Sequence, residues 1–175
     1  MDQEFRDALE KARKLEIDGA EFYEKLAEKC SLPGGSQLFT SFSADERRHL
    51  KVVSDIAKGL GANMDDMPMP RDSIRTLFTD LAEKMEDATP AAAEEKEAVE
   101  IALGMEKKSY DLYDQASRDA EDEPTQKLMA RLAQEENQHY EMLENTLEYL
   151  NGTEEWFLWG ERGMIEGDQS SIGME

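Results

Sequence analysis

The chain has 175 residues, enough for one domain with a sizeable core. Charged residues make up 35% and the formal net charge is −21, a surface that repels nucleic acid and anionic membrane. A single cysteine, Cys30, excludes a disulfide framework and any zinc-ribbon or rubredoxin-type iron site built within this chain.

The first helix is predicted from about Asp2 to Cys30. Phe5, Leu9, Ala12, Leu15, Gly19, Phe22 and Leu26 recur at three- and four-residue steps and draw one apolar stripe, with Glu16 and Tyr23 on or beside it. Ser31-Leu-Pro-Gly-Gly35 reads as a stop and turn. Ser36 is placed as the cap of a second helix reaching about Leu60, with the stripe Leu38, Phe42, Glu46, His49, Val53, Ile56 and Leu60. Residues 61–90 form a long connection, in which Asp72 or Ser73 can cap a short helix through Met85. The third helix opens at Thr89-Pro90 and runs to about Ala120, with Ile101, Ala102, Met105, Leu112, Tyr113 and Ala116 facing inward. The fourth starts at Glu123-Pro-Thr125, carries Leu128, Leu132, Glu136, His139, Leu143, Thr146 and Leu150, and ends at Asn151-Gly152.

Short loops make each consecutive pair antiparallel neighbours, and the long connection lets the chain return along the bundle. The expected fold is all-α: a ferritin-like four-helix bundle over residues 1–150 with a crossover at about 61–90. A tail over 151–175 is rich in aromatic residues and glycine. Its Trp156, Phe157 and Trp159 are expected to pack over the bundle end or across a dimer interface. The first residues, Met1 to Asp7, contain no apolar signal region, and no run of roughly 18 apolar residues occurs. A cytoplasmic chain with no membrane span is expected.

Both histidines of the chain lie in the same four-residue motif, Glu46-Arg-Arg-His49 and Glu136-Asn-Gln-His139, at an offset of 90 (136 − 46). A glutamate precedes each motif by 30 positions, Glu16 (46 − 16) and Glu106 (136 − 106). On a helix, residues three apart are turned by about 300° and rise about 4.5 Å, so Glu46 and His49 can converge on one point, as can Glu136 and His139. Glu16 and Glu106 would reach across from neighbouring helices. Four glutamates and two histidines are the donor set of a two-metal carboxylate centre in such a bundle. Each metal would take one histidine, one terminal carboxylate and shared bridging carboxylates. A carboxylate at a core position is costly unless paired or bound to metal, and four of them balance two divalent ions. Mixed nitrogen and oxygen donors suit iron or manganese, and zinc can also occupy such a site.

Four further residues are candidates for a supporting role. Asp45 and Glu135 each precede a motif histidine by four residues. They can hydrogen-bond the outer imidazole nitrogen across the bundle and fix its tautomer, or stand as solvated surface acids. Tyr23 and Tyr113 follow Glu16 and Glu106 by seven. They can donate hydrogen bonds at the site or relay electrons; aromatic packing in the core is the plainer reading.

Four segments carry a family resemblance: Leu15–Ala27, Phe42–His49, Met105–Tyr113 and Leu132–His139. Through them the chain resembles the rubrerythrin branch of the ferritin-like superfamily, over about residues 5–30, 36–60 and 95–150. The resemblance implies a non-haem centre of two iron ions held by Glu16, Glu46, His49, Glu106, Glu136 and His139. It also implies reduction of hydrogen peroxide or oxygen with electrons from a partner, and a homodimer. The chain departs from rubrerythrin in two respects. Rubrerythrin carries an iron–sulfur domain that one cysteine cannot build, so an external electron-donor protein is expected. Ser109 stands where rubrerythrin has an extra glutamate that exchanges with a histidine as the iron changes oxidation state. A redox enzyme is the leading expectation; iron storage, or a structural bundle with a non-catalytic metal site, are the alternatives.

Overall fold

The computed structural model describes residues 3–31, 34–60, 69–70 and 93–151. Four helices and no strand are found among these residues: α1 (Gln3–Lys29), α2 (Gly35–Ala57), α3 (Ala93–Asp119) and α4 (Glu123–Leu150). The molecule is an all-α four-helix bundle. Two hairpins, α1 with α2 and α3 with α4, meet chiefly through α1 and α3. The start of the third helix at Thr89, the crossover helix through Met85 and the aromatic tail lie outside the described residues.

Along α1 seven of the eight buried positions, Phe5, Leu9, Ala12, Glu16, Gly19, Tyr23 and Leu26, step alternately by four and three, with Ala20 beside them. That is the 3.5-residue repeat of a knobs-into-holes seam. Along α3 they are Glu95, Val99, Ala102, Glu106, Ser109, Tyr113 and Ala116, each the α1 position plus 90. The repeat therefore extends from the motifs to the packing. Two apolar clusters flank the middle of the bundle. One joins Phe5 and Leu9 of α1 to Ala116 at the far end of α3 and Ala120 just past it; the other joins Leu26 to Val99 and Ala102. α1 and α3 are thus antiparallel, and the motif residues occupy the layer between the clusters.

The seam corrects several predicted inward positions. Leu15 and Phe22 are half-buried, and Glu16 and Tyr23 beside them take the fully buried places. Ile101 is 49% exposed, because Ala102 holds the seam and its neighbour points outward. Met129 and Met142, absent from the predicted stripe of the fourth helix, are buried. Unbranched methionine fills the irregular gaps there.

Helix ends differ from prediction for local reasons. α2 starts from Gly34, whose φ of 72° is left-handed, and no side chain caps it. Ser36 lies inside the helix, and its carbonyl accepts from Thr40 Oγ1 at 2.7 Å. The helix stops at Ala57 rather than Leu60. Gly59 turns left-handed with φ 71°, Gly59 N donates to Ile56 O, and Leu60 N donates to Asp55 O. These two bonds form a Schellman motif, which turns the chain out and leaves Leu60 56% exposed. α4 is capped by Asp122, whose carboxylate accepts from Thr125 N at 2.9 Å.

Candidate metal centre

All six motif and upstream residues converge in the middle layer. Glu16, His49, Glu136 and His139 are fully buried, and Glu46 and Glu106 nearly so. They fall into two groups, each with four potential ligand atoms within 4.8 Å of one another. One group is Glu16, Glu46, His49 and Glu136; the other is Glu46, Glu106, Glu136 and His139. Glu46 and Glu136 belong to both. The two imidazole rings are 5.9 Å apart, and Phe42 packs on His139 with ring centroids 4.3 Å apart.

The inner faces of these residues lack hydrogen-bond partners. Glu16 Oε2, Glu46 Oε1, His49 Nδ1, both Glu136 oxygens and His139 Nδ1 are buried without one. His49 Nδ1 lies 2.9 Å from Glu136 Oε1, in ion-pair range but without hydrogen-bond geometry. A buried polar atom left unpaired costs about 1–3 kcal/mol, more if charged. Six such atoms come from five converging residues, and a cation among them would satisfy the layer. The donors are mixed nitrogen and oxygen, which fits iron, manganese or zinc.

The outer faces are fully engaged. His49 Nε2 lies 3.1 Å from Glu135 Oε2, and His139 Nε2 lies 3.3 Å from Asp45 Oδ2. Each imidazole thus meets the carboxylate from the opposite hairpin, and its Nδ1 turns to the cluster. Tyr23 donates to Glu106 Oε1, and Tyr113 donates to Glu16 Oε1. The tyrosines therefore serve the opposite helix rather than their own. Antiparallel packing explains this: the seven-residue step from Glu16 to Tyr23 is matched by the reverse step from Tyr113 to Glu106. Both rings also pack in the apolar clusters, so core packing and hydrogen bonding coincide.

The electrostatics follow from crowding. Burial, and then repulsion by Glu136, Glu16 and Glu106, push the Glu46 carboxyl well above its usual range. Burial and Glu136 push Glu106 up to about 8. Burial also works against charge on Glu136, but His49 and His139 outweigh it and hold Glu136 low. Both imidazoles are raised: burial opposes their charge, and the surrounding carboxylates overcome it. Without a cation the layer thus favours protons on Glu46, Glu106 and both imidazoles, and a metal ion would have to displace them.

Two residues outside the predicted ligand and supporting sets complete the site, Arg48 and Arg131. Arg48 donates to both Asp45 and Glu135, and Arg131 donates to Glu135. A signal was present, since Arg48 is three residues after Asp45 and Arg131 four before Glu135, the spacings of helical ion pairs. Burial works against charge on Glu135, but His49 first, and then Arg48 and Arg131, outweigh it and bring the carboxyl down to about 2.

Gly19 gives the site its clearance. A Cβ at this position would stand 2.9 Å from Glu46 Oε2 and 3.3 Å from its Cδ. Replacing a mid-helix glycine by alanine ordinarily stabilises by about 0.5–1 kcal/mol. Gly19→Ala is therefore expected to leave the metal-free chain at least as stable while turning the Glu46 carboxylate aside. Melting curves of the stripped protein beside a metal titration check this. Unchanged metal affinity would show that Glu46 does not need the space.

A four-helix bundle with paired glutamate and histidine ligands facing inward defines a metal-binding protein of the ferritin-like type. The rubrerythrin family model matches residues 7–147, and the chain belongs to that family. Neither the curated proteins nor the solved structures gave a match. Among the described residues, no helix is long and apolar enough to cross a membrane.

Proposed function

We propose that the chain is a non-haem di-iron redox protein that reduces hydrogen peroxide or oxygen with electrons from a separate donor protein. The observation that carries this reading is the pair of four-residue ligand groups sharing Glu46 and Glu136. Glu16 and His49 would complete one position, Glu106 and His139 the other. Bound iron supplies the electrons and the Lewis acidity.

The chain's own groups hold the geometry. Asp45 and Glu135 keep the imidazole Nε2 atoms occupied, so that both Nδ1 lone pairs face the cluster. Tyr23 and Tyr113 fix Glu106 and Glu16, and place an O–H against each carboxylate where a proton can be held. Burial and nearby carboxylates raise both phenols well above their ordinary value, so these protons stay in place at neutral pH. Phe39 and Phe42, both buried, help keep water from the layer. Reduction of peroxide to two waters consumes two electrons and two protons. The chain's one cysteine, Cys30, cannot build a thiolate cluster, so the donor lies outside these 175 residues. Ser109 is buried where rubrerythrin has its exchanging glutamate. Turnover in this chain therefore proceeds without that ligand exchange. A homodimer, proposed from the resemblance, is checked by native mass.

Anaerobic loading with ferrous iron, followed by stopped-flow mixing with peroxide or with oxygen, tests the function. About two irons per chain and fast growth of oxo-bridge absorption are expected. A chain that takes up no iron, or whose ferrous form survives both oxidants, would overturn the reading.

A further inference from the structure

Arg48 occupies a place that the duplication of the chain does not explain. Its Nη2 donates to Asp45 Oδ1 at 2.6 Å and to Glu135 Oε2 at 2.7 Å. The same two carboxylates meet the outer nitrogens of the two imidazoles, Glu135 at His49 Nε2 and Asp45 at His139 Nε2. One guanidinium thus closes an unbroken path from His139 through Asp45, Arg48 and Glu135 to His49.

The path is lopsided. Glu135 also accepts from Arg131 Nε at 2.7 Å and is fully buried. Asp45 has Arg48 as its guanidinium among the described residues, and its side chain is 17% exposed. At the offset of 90, Arg48 corresponds to Gln138 and Arg131 to Ser41. Each arginine therefore exists in one half only, Arg48 in the first and Arg131 in the second, and Glu135 accepts from both whereas Asp45 accepts from Arg48.

We propose that Arg48 is a positioning residue for both metal-facing imidazoles, and that the His139 half relies on it while the His49 half is secured a second time by Arg131. The proposal rests on the metal-centre reading above. A carboxylate tied to a fixed guanidinium has a fixed direction, and an imidazole N–H donating to it inherits that direction. Removing Arg48 frees Asp45 to turn toward solvent, and His139 loses its outer anchor. Glu135 stays tied to Arg131, and His49 keeps its own.

Zinc is a redox-inert probe of this difference. The full chain, stripped of metal, is titrated with zinc by calorimetry, and the zinc-loaded protein is examined by long-range ¹H–¹⁵N correlation of the imidazoles. Two zinc equivalents are expected in the wild type. Loss of a partner that orients a ligand costs roughly 10–100-fold in metal affinity. Arg48→Gln is expected to impose that loss on one equivalent, leave the other near wild type, and shift the His139 resonances but not those of His49. Arg131→Gln alone leaves both equivalents near wild type, because Arg48 still holds Glu135. The double variant weakens both. Asp45→Asn gives a second route should Arg48→Gln fail to fold, and is expected to weaken the His139 equivalent selectively. Equal weakening of both equivalents by Arg48→Gln or by Asp45→Asn, or no change at all, would overturn the proposal while leaving the metal centre intact. A wild-type chain that takes up no zinc would overturn the metal reading itself, and this proposal with it.

Discussion

Glu136→Ala is expected to abolish metal uptake at both positions, while Glu16→Ala removes one and spares the other. The difference follows from membership. Glu136 and Glu46 contribute to both ligand groups; Glu16 contributes only to the group with His49, and Glu106 only to the group with His139. Glu136 has the stronger claim of the shared pair. It is fully buried, neither of its oxygens has a hydrogen-bond partner, and both imidazole Nδ1 atoms lie near it, at 2.9 Å for His49 and 3.6 Å for His139. It is also held ionised by those histidines, whereas Glu46 and Glu106 are pushed toward the protonated form. Metal-to-protein ratios after iron loading and desalting give the answer directly. Ratios near two for the wild type, near one for Glu16→Ala and near zero for Glu136→Ala are expected from the shared and unshared donors. Equal ratios in the two variants would sink the division into shared and terminal carboxylates.

Stripping the metal with a chelator is expected to lower the melting temperature steeply, and to lower it more as pH rises from about 5 to 8. An ion present at a thousandfold its Kd adds about 4 kcal/mol. Two such ions add about 8 kcal/mol, which at about 2–4 °C per kcal/mol corresponds to roughly 15–30 °C. The pH dependence comes from the stripped form. Glu106, raised to about 8, and Glu46, also raised, contribute stability that is complete below the unfolded carboxyl value and is lost as pH climbs through their folded values. The raised histidines act in the same direction, beginning above their unfolded value of about 6.5. Glu135 and Glu136 are lowered, so their stability is already present throughout this window and is lost only in acid. The loaded form has already surrendered these protons, so its affinity for metal rises with pH. Melting curves of loaded and stripped protein across the window test this, with calorimetry in buffers of different ionisation enthalpy counting the protons released. A gap that stayed constant or narrowed with pH would refute it.

Much of the bundle and its middle layer was legible from residue spacing. Only two histidines exist in the chain, both in the same motif, so the repeat at 90 could be read without ambiguity. The helical period then brought Glu46 to His49 and Glu136 to His139. What spacing could not supply was the partner across the bundle. The spacing puts Tyr23 two turns from Glu16 and leaves open what its hydroxyl meets; the antiparallel register of α1 and α3 gives it to Glu106. Asp45 and Glu135 had two open readings, and the choice depends on which element faces them. The same limit hid the double role of Arg48, since its spacing reveals the bond to Asp45 and not the one to Glu135, 87 residues away. Most of the predicted apolar stripes are buried, but a few of their positions shift for a related reason. Hydrophobic residues were placed inward at Leu15 and Phe22, although the seam prefers Glu16 and Tyr23, where polar atoms complete the middle layer.

Each ligand group draws three residues from one hairpin and one from the other: Glu16, Glu46 and His49 with Glu136, and Glu106, Glu136 and His139 with Glu46. A hairpin on its own is therefore one donor short, and the missing donor sits on its twin. A cation bound in this layer would act as a quorum sensor for the fold, held in full only when both halves have arrived. A chain whose hairpins parted would lose the fourth donor at each position.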